Sequence, residues 1–387
     1  MDVHSALILL LFVISIATML VFARKNLWVA VFVAGCILSI STSRIDTIFV
    51  ALQKTSTIEN LFLSLALLQI PIIGKLLEKP LTESISRCDR RVGAAMGPAM
   101  FGLLSIPGGA ILSSPLVDRI VGDDKSAEDK VALNIWFRHI LFLVYPLSTA
   151  LIVAVMLAHL DLIGTIIHMF PLLVLGVVVG YIYYLRGLSG GRNTSNKLYL
   201  GALVIVLIAP LIQLTMDALG IGMELGAFVG VTLTLVLSST YTKTKLRNVV
   251  VIARKAKVWN FALIYLSIMF YGYVFAQTDV PGVISALSPP KILLAVILPF
   301  LIGFAVGRTQ LTLTIMIPLY IGLFGAMDYL TLATMYTSTL AGYLMSPAHP
   351  CLVLTVEYFK ADLYGSIKKI FVPSALLTLF ATIYMML

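Results

Sequence analysis

DLIGTIIHMF, residues 161–170, returns further along the chain as DLYGSIKKIF, residues 362–371. Other pairs keep the same spacing: Pro80 with Pro281, Pro98 with Pro299, Gly102 with Gly303, Pro146 with Pro347, and Ile182-Tyr183 with Ile383-Tyr384. Matches held at one spacing along a whole chain mark a duplication, not a local coincidence. The 387 residues are two copies of one unit, 1–195 and 196–387, with the polar stretch 191–197 as the linker.

Composition decides the solvent in which those copies fold. Hydrophobic residues make up 60% of the chain and charged ones 12%, and the mean hydropathy is +1.02. A soluble domain carries about 25% charged residues, so the chain reads as an all-α, multi-pass membrane protein. The formal net charge of +9 then belongs to loops facing the cytoplasm, and nucleic acid is excluded as a partner. Cys36, Cys88 and Cys351 lie far apart, without the spacing of a disulfide framework or a metal knuckle. They are expected to be small buried apolar residues. The first twenty residues lack the basic start and small-residue cleavage site of a signal peptide, and they read as the first membrane helix.

Apolar runs of spanning length, about 20 residues, fall near 4–22, 26–43, 57–78, 131–158 and 161–185. They recur near 198–216, 221–240, 258–278, 330–356 and 364–386. Between the third and fourth run of each copy lies a stretch broken by Gly, Pro, Ser and Thr, about 92–117 and 291–326. Each is too interrupted for one helix and too short for two crossings, which predicts a re-entrant hairpin. Lys and Arg crowd one side, in the polar loops 79–91, 118–130, 186–197 and 241–257, read as solvated, and at Arg24, Lys25, Lys75, Lys360, Lys368 and Lys369, whereas the opposite loops hold only Arg44, Lys54 and Lys291. The positive-inside rule places the crowded loops in the cytoplasm and both termini outside, in the cell inner (plasma) membrane. Five crossings per copy, an odd number, make the two copies inverted repeats. Each carries one hairpin and one helix broken at mid-membrane.

The shared Pro-x-x-x-Gly entry leads to polar tips at 107–114 and 307–314. In a dry setting such tips offer backbone amides to anions, and carbonyls and hydroxyls to cations. Candidate substrate contacts are Gly108, Gly109, Ser113 and Ser114 at the first tip, and Arg308, Thr309 and Gln310 at the second. Ser105, Thr312 and Thr314 are candidate ligands of a coupling ion. The plain alternative is that the glycines permit a tight turn and the hydroxyls bond their own helix. Proline interrupts the fourth run of each copy, at Pro146 in VYPLSTA and at Pro347 and Pro350 in MSPAHPC, bending the helix and freeing carbonyls. Ser346 and His349 join the substrate set there; Ser148, Thr149 and Glu357 join the ion set, with His349 and Glu357 as candidate proton carriers.

Two arginines, Arg138 and Arg308, lie at membrane depth, where an unpaired cation costs on the order of 2.5–3.5 kcal/mol. The planar fork of Arg308, among hydroxyl and amide neighbours, suits a carboxylate. Arg138 is expected to snorkel inward or to pair with Asp118 or another loop acid, its contact with substrate left open. Gly222, Gly226 and Gly230, and Gly176 with Gly180, read as close helix packing and a candidate subunit contact. The chain has no GxxxxGK[ST], HExxH or GxSxG and no carboxylate pair placed for hydrolysis, so neither catalysis nor ATP drive is indicated.

The strings IPGGAILSSPLVD (106–118), NIWFRHI (134–140) and SPAHPCLVLTVEYF (346–359) resemble a family of uncharacterised prokaryotic integral membrane proteins. That family looks like a branch of the ion transporter superfamily, beside gluconate, citrate and dicarboxylate carriers. The resemblance implies that hairpin tips and helix breaks bind an anionic substrate and often sodium, and that the protein is a homodimer. The chain carries Pro-Gly-Gly-Ala and Arg-Thr-Gln where the sodium-dicarboxylate branch carries Ser-Asn-Thr.

The function expected is secondary active transport of a small organic anion by alternating access, with no cofactor and no metal beyond sodium at the tips. Sodium is the expected coupling ion and a proton its rival. A membrane-embedded enzyme on a lipid-type substrate and a passive anion channel are the alternatives.

Overall fold

The structure, a computed structural model, describes residues 3–22, 25–40, 46–85, 88–104, 109–188, 200–285 and 289–387. The linker 191–197 and the site candidates Ser105 and Gly108 lie outside the described residues. All regular structure among the described residues is helical, without strands. The first half of the chain contains α1 (Val3–Phe22), α2 (Leu27–Ile40), α3 (Asp46–Thr55), α4 (Ile58–Ile85), α5 (Arg90–Leu103), α6 (Gly109–Val121), α7 (Ala127–Ile140), α8 (Thr149–Ala158) and α9 (Leu162–Gly180). The second contains α10 (Leu200–Ala218), α11 (Met223–Tyr241), α12 (Leu246–Lys255), α13 (Trp259–Phe275), α14 (Val280–Ser285), α15 (Leu298–Val306), α16 (Thr309–Phe324), α17 (Tyr329–Met345), α18 (Pro350–Phe359) and α19 (Leu363–Met385).

Polarity is distributed as a bilayer demands. Ile167, Phe170 and Val174 on α9, and Phe371, Leu379 and Ile383 on α19, are exposed, while Asn134, Thr334, Thr337, Ser338 and Thr339 are fully buried. A soluble protein would reverse this. α4, α10, α11 and α19, and α9 continued to Leu185, are single helices long and apolar enough to cross. The protein is therefore a multi-pass membrane protein. α5 and α6, of 14 and 13 residues, reach only about 20 Å at 1.5 Å per residue, short of the ~30 Å hydrocarbon core. They pack on each other, as do α15 and α16; these pairs are the two hairpins. The fourth run of each copy is interrupted where proline required, between α7 and α8 and between α17 and α18.

Two loop assignments need correction. α4 continues to Ile85, so part of the segment expected as a loop after residue 78 is helical. The basic stretch 243–257 contains α12, which bends 54° into α13. Val249, Ile252 and Ala253 of α12 pack towards Ile72 and Leu76 of α4, while Leu246 stays 78% exposed. The charge count masked this amphipathic face. Its counterpart in the first copy, α3, carries one Asp and one Lys.

The two halves of the chain exchange partners. α5 packs on α7 and α15 on α17, whereas α6 packs on α18 and α16 on α8, and likewise α7 on α19 and α17 on α9. The repeated Asp-Leu that begins α9 and α19 explains two of these joints. Asp161 caps α9 through the Gly164 amide at 2.6 Å, and Asp362 caps α19 through the Gly365 amide at 2.5 Å. Each then meets the start of the other copy's broken helix: the Tyr329 hydroxyl donates to Asp161, and the Asp362 amide donates to Glu128 Oε1 at 3.2 Å. His168 stacks on the Tyr329 ring at 4.7 Å.

The hydrogen bond from Tyr329, followed by that from the Gly164 amide, holds the Asp161 carboxyl below the usual carboxylate range. A carboxyl so depressed adds stability above its unfolded value, and the gain is lost as pH falls through the folded one. Tyr329→Phe is expected to lower the melting temperature at neutral pH by the equivalent of no more than about 1 kcal/mol, because the pair is solvated. The gap from wild type should close below about pH 4. Melts across that range check it; a gap unchanged at pH 3 would remove the ionised Asp161 as its cause.

Candidate functional site

The site is built where a hairpin tip meets a helix break. Proline at 347 and 350 ends α17 and restarts the chain as α18, leaving Ser346 to His349 as a turn closed by the Ala348 amide on Ser346 Oγ at 3.1 Å. The tip of the second hairpin lies against this turn. Gly307, at φ +64°, is in the left-handed region that favours glycine, and a Cβ there would come within 2.6 Å of the Ala348 carbonyl carbon. Arg308 follows as the N-cap of α16 with no side-chain capping bond. It lines a cleft of about 430 Å³ with Val306, Pro347, Ala348 and Pro350. Thr309 is buried and Gln310 half-buried.

Behind the turn is a buried aromatic and cationic group. The His349 and Tyr343 rings lie 3.9 Å apart and the His349 and His139 rings 4.8 Å apart. His139 Nδ1 is 2.7 Å from the Ile135 carbonyl and so carries the proton, which leaves Nε2 to accept from the Tyr343 hydroxyl at 3.3 Å. Both ring nitrogens of His349 and Nη1 of Arg138 are buried with no partner among the described residues. Arg138 is only 3% exposed and therefore does not snorkel. Asp118, its expected partner, pairs instead with Lys130 at 2.7 Å.

The first hairpin joins this group through Asn134. Its Nδ2 donates to Ser114 Oγ at 3.2 Å and to Thr355 Oγ1 at 3.1 Å, tying α6, α7 and α18 together. Gly109 begins α6, and Ser113 and Ser114 bond back to the Ala110 carbonyl. Thr312 and Thr314 do the same to Arg308 and Gln310. Carbonyls freed at the first break are also partnered: Phe142 accepts from the Tyr336 hydroxyl at 3.0 Å and Pro146 from Gln213 Nε2 at 3.4 Å. Ser148 is buried at the N-cap of α8, followed by Thr149; Glu357 is exposed near the end of α18.

The structure thus gathers Arg308, Ser346 and His349 around one turn and adds Arg138, His139, Tyr343 and Asn134. Asn134 was not singled out in the sequence, although a lone amide within the apolar run 131–158 is the signal that could have found it. The donor atoms of His139, His349 and Cys351 lie within 4.8 Å of one another, a set whose ligand types suit a soft metal ion. The neighbouring Arg138 opposes any cation there. The cysteines are partly rather than fully buried.

A family model described as protein of unknown function (DUF401) matches residues 4–387. The chain belongs to this family. The fold of this DUF401 protein is similar to that in "Crystal structure of the Alcanivorax borkumensis YdaH transporter reveals an unusual topology". The likeness covers 88% of this chain and 86% of that one, at a TM-score of 0.56 and 13% identity. At that identity the likeness is one of fold. No curated protein matches the sequence.

Proposed function

We propose that this DUF401 protein is a secondary active carrier of a small organic anion, working by alternating access in the inner membrane. The observation that carries this reading is Arg308, a guanidinium with no ion-pair partner among the described residues, set at a hairpin tip facing a cleft and a broken helix. A planar fork held in a partly dry site is a carboxylate receptor. Thr309, Gln310 and Ser346 would complete the contacts at that tip, with Gly109, Ser113 and Ser114 on the opposing hairpin. Five crossings per copy would invert the second copy and put both termini outside, and the exchange of partners between copies supplies the two-sided frame that alternating access needs. The similar fold of the Alcanivorax borkumensis YdaH transporter supports the same reading.

Counterflow tests it. Proteoliposomes preloaded with unlabelled succinate are expected to accumulate labelled succinate transiently above equilibrium. A channel equilibrates the label without overshoot, and an enzyme returns it chemically changed; either result would replace the carrier reading.

A further inference from the structure

We infer that this carrier is an obligate anion exchanger: what returns the site across the membrane is a second dianion, not sodium or a proton. The inference rests on the carrier reading above and names the ion that drives it. Its basis is an imbalance of charge. The hairpins and broken helices carry acids only at their ends: Asp118 and Asp129 are paired with Lys130 and Lys369, Glu128 accepts from the Asp362 amide, and Glu357 is exposed, while residues 92–117, 130–160, 280–327 and 329–356 between those ends hold no Asp or Glu. The same stretches carry Arg138 and Arg308, joined through their chain neighbours: the His139 and His349 rings lie 4.8 Å apart, Gly307 lies against the His349 backbone, and neither arginine is in an ion pair among the described residues.

Backbone geometry adds to the excess. α16 and α18 begin at Thr309 and Pro350, on either side of the cleft, and neither has a side-chain cap at its N-terminus. Helix N-termini carry partial positive charge, so both point the same sign at the site as the guanidiniums. The two histidines offer no relief: neutral they add nothing, and protonated they add to the excess.

An empty site of this kind carries two uncompensated charges. Carrying them through a low-dielectric barrier is slower than carrying a neutral complex by a factor of about a thousand or more, taking the insertion cost of each arginine. A dianion bound in the cleft at Arg308 brings two negative charges to offset both arginines and releases the step. Sodium would place a third positive charge among them, and so would a proton taken up by His139 or His349. The carrier is therefore expected to move only when loaded, in both directions, with a doubly charged anion such as succinate or sulfate, and to do so without net charge movement.

Labelled succinate and labelled sulfate are the probes, added outside proteoliposomes of the wild-type protein. Uptake is expected to be at least about a hundredfold faster into vesicles preloaded with the same dianion than into vesicles holding chloride. Sodium gradients, pH gradients and a valinomycin-clamped potential should leave it unchanged. Uptake into chloride vesicles driven by an inward sodium or proton gradient overturns exchange and leaves the carrier standing. Movement of neither dianion into preloaded vesicles overturns both. Arg138→Gln removes one charge from the empty site, so the ratio of exchange to net uptake should fall at least tenfold. Equal loss of both rates would make Arg138 a structural residue and sink the charge argument.

Discussion

Arg308→Gln is expected to abolish succinate uptake, by roughly a hundredfold to ten-thousandfold, in a protein that inserts and folds as the wild type does. The size follows from two charge-assisted hydrogen bonds, each worth about 1.5–3 kcal/mol, at 1.4 kcal/mol per factor of ten. Folding is spared because Arg308 is in no ion pair among the described residues and caps no helix with its side chain. Loss of an unpaired, partly desolvated charge removes a cost from the resting state, so the melting temperature should be equal or higher. Arg308→Lys keeps the charge without the fork and should fall between the two. Measured uptake and melting of the three proteins decide the matter. Wild-type rates in Arg308→Gln would end the assignment, and a large drop in its melting temperature would recast Arg308 as part of the scaffold.

What the sequence made legible was periodic or punctuated. α8 and α18 fall at equivalent positions because proline breaks each run at the same place, and the Asp-Leu that caps α9 also caps α19. Hairpin entries were readable because a shared Pro-x-x-x-Gly precedes each. α12 was not, because six basic residues between 243 and 257 suggested a solvated loop while its apolar residues follow a helical period. Arg138 was placed near a surface because its distance along the chain from the acidic loop is short. In three dimensions α7 runs inward between α5, α18 and α19, and that burial depends on residues more than two hundred positions away. The same holds for His139, His349 and Tyr343, which no local pattern can join.

Gly102→Ala and Gly303→Ala are expected to cost stability by about 1–3 kcal/mol or more each, with the larger loss at Gly102. In an ordinary helix the same change gains up to about 1 kcal/mol from propensity, so the sign tests packing against intrinsic preference. Gly102 lies so close to the Arg138 carbonyl that a Cβ would overlap it, and a Cβ at Gly303 would lie 2.6 Å from the Thr339 carbonyl oxygen. Those oxygens belong to helical backbone and cannot turn aside as a side chain would, so α5 must part from α7, or α15 from α17, which is overpacking. Arg138 and Thr339 occupy equivalent positions of the two copies, as Gly102 and Gly303 do, so each hairpin is seated by the same contact. Gly282→Ala is the control, since a Cβ there meets nothing within 4 Å, and it should be neutral or stabilising. Melting temperatures of the three purified variants give the order. If Gly102→Ala and Gly303→Ala behave like Gly282→Ala, the hairpins are not held against the broken helices by these glycines. If both fall while counterflow in the surviving protein falls with them, the seat of the hairpin on the broken helix is part of the transport step itself.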